Sequence, residues 1–389
     1  MNKIIKDLII ITGFVLISTF LIWLPHFLAI PNFWGLNFSS GFNTIYRNFD
    51  GLEYIVIAKT FYNQSLIASI PQPMPAIYYA SHFPGFPIFI ALLAPILGFL
   101  KSMLFVTLGF TILSTFAFYF LVRDFKLTAH LLTLTLTFLL LPARWVIVHS
   151  VGSPEPMFIF FILMSLYFFL KYSILNTQYL ILISAIFAAM AQLTRPPGIL
   201  LFIGLAIYIH WQLFQEKRTI GLKRAVLNHL KFWPFILVPL TLLAIFFVYG
   251  QNYGDFFAYF HSGDNIHLAL PPFQIFNAHQ FWVGSIWLED IVYIFVLGLL
   301  GGLYLWKQKL YPLAFVVLTY LVASMLVAHR DISRYTLPIA PLVLIAFEKV
   351  LTSKEFRIVL VVLSLAIYLY SQNFIIANVA PVPDLTVYN

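Results

Sequence analysis

The sequence predicts an all-α, polytopic membrane protein: a helical bundle of about eleven spans with a long first outer loop. Two observations carry this. Of 389 residues, 61% are hydrophobic and only 9% charged, whereas a soluble domain is about 45–50% apolar and about 25% charged. One soluble core cannot hold that apolar surface, so much of it has to face lipid. Most of the apolar residues also fall in runs close to the roughly 17–25 that cross a bilayer, those at 179–193 and 336–348 being short. No stretch reads as a soluble domain, so residues 1–389 form a single integral membrane unit.

The first run, near 8–30, follows Lys3 and Lys6 and continues through Trp23 and Pro25. It lacks the short apolar core and small-x-small site of a cleaved signal, so an uncleaved first span is expected. Further spans are expected near 103–122, 128–148, 157–172, 179–193, 197–213, 233–250, 289–306, 310–328, 336–348 and 357–376. The segment 86–100 is apolar too, but Pro95 interrupts it and Lys101 ends it. It is expected to lie at the interface or to insert only partly.

Charge gives the orientation. With the N-terminus cytoplasmic, most basic residues fall inside, among them Lys3, Lys6, Arg123, Lys126, Lys217, Lys307 and Lys354. That is the positive-inside pattern. Most acids, including Asp50, Glu53, Glu155 and Asp331, fall outside. The net charge of +8 therefore reflects membrane orientation, and membrane lipids rather than nucleic acid are the expected partners. In a bacterium the location would be the plasma membrane. The chain has no cysteine, which excludes disulfides, thiolate catalysis and thiolate metal sites. It shows neither a fixed repeat nor matching broken helices, which counts against a transporter built from inverted repeats.

Five polar stretches then share the outer face. "YRNFDGLEYIVIAKTFY" crowds Arg47, Asp50, Glu53 and Lys59 into thirteen residues of a mostly apolar chain. The spacing suits a short helix with Asp50 and Glu53 on one face. It fits both a capping box, Asp50 capping and Glu53 reaching back, and a carboxylate poised at a membrane surface. "YYASHFPGFP" puts His82 beside Pro84 and Pro87 in an extended aromatic turn. "HSVGSPEP" places Glu155 in the first turn of a helix, where it complements the dipole. "LTRPPG" sets Arg195 between apolar runs, as a phosphate ligand or a snorkelling side chain. "AHRDISRYTLP" gathers His329, Arg330, Asp331, Arg334 and Tyr335; arginines suit phosphate, and an Arg–Asp pair within the loop is the alternative.

The order of these motifs resembles the GT-C membrane glycosyltransferases, closest to the PIG-V-like mannosyltransferases. Their pattern Trp-Asp-x-x-x-Tyr-x-x-Ile-Ala is matched by "FDGLEYIVIA", with Phe49 in the tryptophan's place followed by Asp50, Tyr54, Ile57 and Ala58. Phe83, Pro84 and Pro87 match a Phe-Pro-x-x-Pro element, Ser153 and Glu155 a Ser-x-Glu turn, and Arg334, Tyr335 and Pro338 a late Arg-Tyr-x-x-Pro. "TRPPG" stands where the family often has Arg-Ser-x-Gly. The likeness covers roughly residues 45–340.

The resemblance implies transfer of a sugar, mannose favoured, from a polyprenyl-phosphate donor to a glycan or lipid acceptor on the non-cytoplasmic face, with inversion. It implies Asp50 as general base, with Glu53 beside it. Substrate binding would fall to Tyr54, His82, Glu155, Arg195, His329, Arg330, Asp331, Arg334 and Tyr335. No cofactor is assigned; a Mg²⁺ or Mn²⁺ ion on Asp50, Glu53 and Glu155 is left open. The rival expectation is a lipid or polysaccharide transporter.

Overall fold

The structure is a computed structural model and describes residues 3–71, 74–263, 268–283, 288–382 and 384–389. Among these residues it is all-helical, with a few isolated bridges in place of strands. Seven helices are long and apolar enough to cross a membrane: Lys3–Phe27, Phe99–Asp124, Glu155–Leu175, Gly198–Ile220, Leu222–Tyr253, Glu289–Lys307 and Lys354–Ala377. The protein is therefore a multi-pass integral membrane protein in contact with lipid. Shorter apolar helices, Leu131–Leu140, Gln178–Thr194, Tyr311–Met325 and Ile332–Ala346, pack among them. The last helix turns large apolar side chains outward, Val361 being 74% exposed. Such a surface is stable in lipid and not in water.

Proline divides two of the expected spans. The 128–148 stretch is not one helix but two, Leu131–Leu140 and Ala143–Val148, parted at Pro142. Proline lacks the amide hydrogen and clashes with the preceding turn. The 336–348 stretch likewise opens as a 3-10 turn, Leu337–Ile339, around Pro338, before Ala340–Ala346. The 86–100 segment forms Gly85–Leu97, thirteen residues long. Its rise of about 20 Å falls short of a hydrocarbon core of about 30 Å. Gly98, at φ +76°, makes the corner into Phe99–Asp124.

Helix ends alternate between two ends of the bundle. At one end Tyr119 donates to Asp7 (2.8 Å), Tyr167 to Asp124 (2.6 Å), Gln178 to the Lys231 carbonyl (2.6 Å) and Thr128 to Glu348 (3.0 Å). At the other, Trp23 donates to the Ser150 carbonyl (2.6 Å), His26 meets Gln372 (2.9 Å) and Tyr320 donates to the Pro197 carbonyl (2.8 Å). The second end carries the polar turns.

The short helix Gly51–Thr60 sits there and is tied to the chain's last segment. Asn48 donates to the carbonyls of Thr44 and Ile375, both at 2.9 Å, and Ala380 N donates to the Arg47 carbonyl (2.8 Å). Lys59 Nζ holds the carbonyls of Val387 (2.9 Å) and Asn389 (2.7 Å). These bonds fix the helix that Asp50 begins.

Candidate functional site

Asp50 occupies the N-cap of Gly51–Thr60, but its side chain makes no capping bond. It accepts from Arg334 Nη2 at 3.0 Å, so the capping-box expectation fails: a guanidinium is the stronger partner for a carboxylate. His82 Nε2 lies 3.9 Å from the same oxygen, Oδ2. The Asp50 side chain is one-third exposed, so solvent reaches it. Burial pushes its carboxyl upward, but the charges of Arg334, His82 and Arg195 outweigh that and hold it below the usual carboxylate range.

Arg334 links Asp50 to a second carboxylate. Its Nε donates to Glu155 Oε1 at 2.5 Å, and its guanidinium lies 4.4 Å from the centre of the Phe49 ring. Glu155 is fully buried at the start of Glu155–Leu175; Ser153 and Arg195 donate to it as well. Arg195 is therefore neither a snorkelling side chain nor a free phosphate ligand. It stands at the turn between Gln178–Thr194 and Gly198–Ile220, with its charge spent on Glu155. Asp331 is paired with Arg144 rather than with an arginine of its own loop. Arg144 also donates to Ser333 (3.2 Å) and packs 3.9 Å from the Phe374 ring centre.

Arg144 is the member that motif spacing missed. The available signal was the one that singled out Arg195: a lone arginine inside an apolar run, "LLLPARWVIV". Asp50, Glu155 and Asp331 thus meet Arg144, Arg195 and Arg334 in a linked, charge-balanced cluster. Unpaired, such charges would each cost several kcal/mol in so apolar a setting.

The remaining candidates divide. Tyr54 is buried, edge-on to the His82 ring at 5.0 Å and to Phe86 at 5.3 Å. Glu53 serves a different neighbourhood: burial first, then the Glu53 charge, raises the phenols of Tyr79 and Tyr388. His329 and Arg330 are exposed beside the cluster. His329 Nδ1 accepts from Asp331 N (3.1 Å), its ring is 5.3 Å from Tyr335, and Arg330 lies 5.8 Å from the Phe281 ring centre. Arg330 has no salt bridge to a described residue.

Glu155 is taken up by one hydroxyl and two guanidinia, Asp50 by Arg334, and no group of three or more His, Asp or Glu that could hold a metal occurs among the described residues. Two apolar clefts of about 520 and 490 Å³ flank Lys3–Phe27; neither is lined by a residue of the charged cluster. Compared with known proteins, the chain matches no family model and no curated sequence.

Proposed function

We propose that the protein is a membrane glycosyltransferase, moving a sugar, mannose favoured, from polyprenyl phosphate to an acceptor hydroxyl on the non-cytoplasmic face. The observation that carries this proposal is Asp50: a solvent-reached carboxylate, clamped by Arg334, at the end of a lipid-embedded bundle. A lipid-held donor requires a site at the bilayer surface, and an attacking hydroxyl requires a fixed base. The motif order from Asp50 to Arg334 supports the same class.

In this proposal the acceptor oxygen attacks the anomeric carbon and the bond to the phosphate oxygen breaks, leaving its electron pair on the phosphate. Configuration inverts. The hydroxyl proton passes to Asp50. A carboxyl held below its usual range is ionised at neutral pH and takes the proton late, once the new bond has acidified the hydroxyl. Arg330, outside the charge-balanced cluster and with His329 beside it, is the group proposed to meet the lipid phosphate, where its fixed positive charge lowers the barrier without proton transfer. The bundle would cross eleven times, N-terminus inside, and the cluster would face outward.

The test is release of polyprenyl phosphate from polyprenyl-phosphate mannose by the purified protein in lipid, with a crude lipid and glycan extract as acceptor. Asp50→Asn is expected to lose about 10²–10⁴-fold, the typical contribution of a positioned base. Full activity in Asp50→Asn, or no release from any of several sugar donors, would sink the proposal. Lipid flipping would then be the activity to measure.

A further inference from the structure

His82 is built into the site more firmly than a loop histidine needs to be. It is 4% exposed and follows the 3-10 turn Ala76–Ser81. Tyr62 donates to its carbonyl at 2.7 Å, and the Tyr54 and Tyr78 rings flank it with centres at 5.0 and 5.6 Å. Ser81 Oγ lies 2.7 Å from Nδ1 and also donates to the Tyr78 carbonyl at 2.7 Å. A hydroxyl has one hydrogen, so Ser81 accepts from His82, and the neutral ring carries its proton on Nδ1. The nitrogen left to titrate is Nε2, which faces Asp50 Oδ2 at 3.9 Å. Arg334 approaches that same oxygen at 3.0 Å, and Oδ1 has no hydrogen bond to a described residue.

Resting on the sugar-transfer proposal, we infer that His82 is a positioning residue whose charge sets the strength of Asp50 as a base. With Nε2 protonated, Oδ2 is bracketed by two cations and the carboxylate holds a proton less readily. With Nε2 neutral, Arg334 is the one cation still in contact among the described residues. The other charged groups at hand, Arg195 and Glu155, are paired to each other and do not change across neutral pH. Among the described residues, titratable neighbours on the His82 side include the phenols of Tyr54, Tyr62 and Tyr78, and burial keeps those of Tyr54 and Tyr62 neutral. Asp50 becomes the stronger base as pH rises through the titration of His82, within the window of about pH 5–8 where histidines change charge.

Two measurements test this. In ¹⁵N-histidine NMR of the protein in lipid, with His82→Gln identifying the resonance, the neutral ring is expected to be protonated at Nδ1. Its titration midpoint is expected to move down in Asp50→Asn. An unmoved midpoint, or a neutral ring protonated at Nε2, would overturn the inference whether or not the protein transfers sugar. In the release assay, kcat/KM is expected to rise with pH across that window in the wild type and to be flat in His82→Gln. An unchanged profile in His82→Gln contradicts the inference, and absence of release in the wild type contradicts the sugar-transfer proposal instead. Ser81→Ala, which removes the Nδ1 acceptor, is expected to displace the rise along the pH axis if His82→Gln does not fold.

Discussion

Arg334 is the residue on which the site turns, because two different nitrogens of one guanidinium hold two carboxylates, Nε on Glu155 and Nη2 on Asp50. A lysine keeps the charge but offers it from a single nitrogen, so it cannot reproduce two bonds made from separate nitrogens of a rigid planar fork. Arg334→Lys is therefore expected to cost about 1–3 kcal/mol, the scale of one lost bond to a charged group. The pH dependence has a definite sign. Asp50 is held below its ordinary value of 3.8, so its pairing stabilises the fold in full above that value and is lost as pH falls through the lower, folded-state value. Water screens a side chain that is one-third exposed, so the effect is modest. Thermal unfolding in lipid from pH 7 to 3 is expected to show a smaller loss below about pH 3.8 in Arg334→Lys than in the wild type; a steeper loss would exclude Arg334 as the cause. Asp50, Glu155 and Arg334 were legible in the sequence because each sits in a recognisable turn. The partners were not, since Arg144 meets Asp331 across 187 residues. Nothing local in a sequence specifies such a contact.

At the scale of elements, apolar run length located the helices and failed where proline intervened. The helix around 179–193 runs Gln178–Thr194. The 86–100 segment, expected at the interface or partly inserted, is the short helix Gly85–Leu97, but neither expected stop ends it: Pro95 lies within that helix, Lys101 lies within Phe99–Asp124, and Gly98 makes the break. The 128–148 stretch was mostly apolar, with Arg144 its one charged Lys/Arg/Asp/Glu side chain, and only the consequence of Pro142 divides it. One close approach between elements supports the site directly. A Cβ on Gly85 would stand 2.8 Å from the Leu193 carbonyl oxygen and from Thr194 Cα, one residue before Arg195. Backbone cannot yield there as a side chain could, so Gly85→Ala has to push Gly85–Leu97 away from the turn that carries Arg195. Overpacking of this kind typically costs about 1–3 kcal/mol. Gly85→Ala is expected to lower the thermal midpoint and the release rate together, and wild-type values for both would show that the two elements separate freely.

For the whole molecule, the distribution of charge supports a proposal for which end faces out. The end marked by the Tyr119–Asp7 and Gln178–Lys231 contacts also carries Arg123, Lys126, Lys171, Lys217, Arg218, Lys307 and Lys354, in loops and terminal turns. At the opposite end the arginines of the cluster are cancelled by carboxylates, so they add little to that count. We propose that this bias of uncompensated lysine and arginine near helix ends puts the first end in the cytoplasm. The chain supplies its own background for the test, since it has no cysteine to label. Single cysteines at Ser40 and Thr386, exposed at the cluster's end, are expected to react with a membrane-impermeant maleimide on intact cells. A cysteine at Thr219, exposed at the other end, is expected to react only after the membrane is opened. The reverse pattern would put Asp50 in the cytoplasm, away from a donor presented outside. Labelling of Ser40 and Thr219 from the same side would break the alternation of helix ends itself, and with it the proposal of an eleven-crossing bundle.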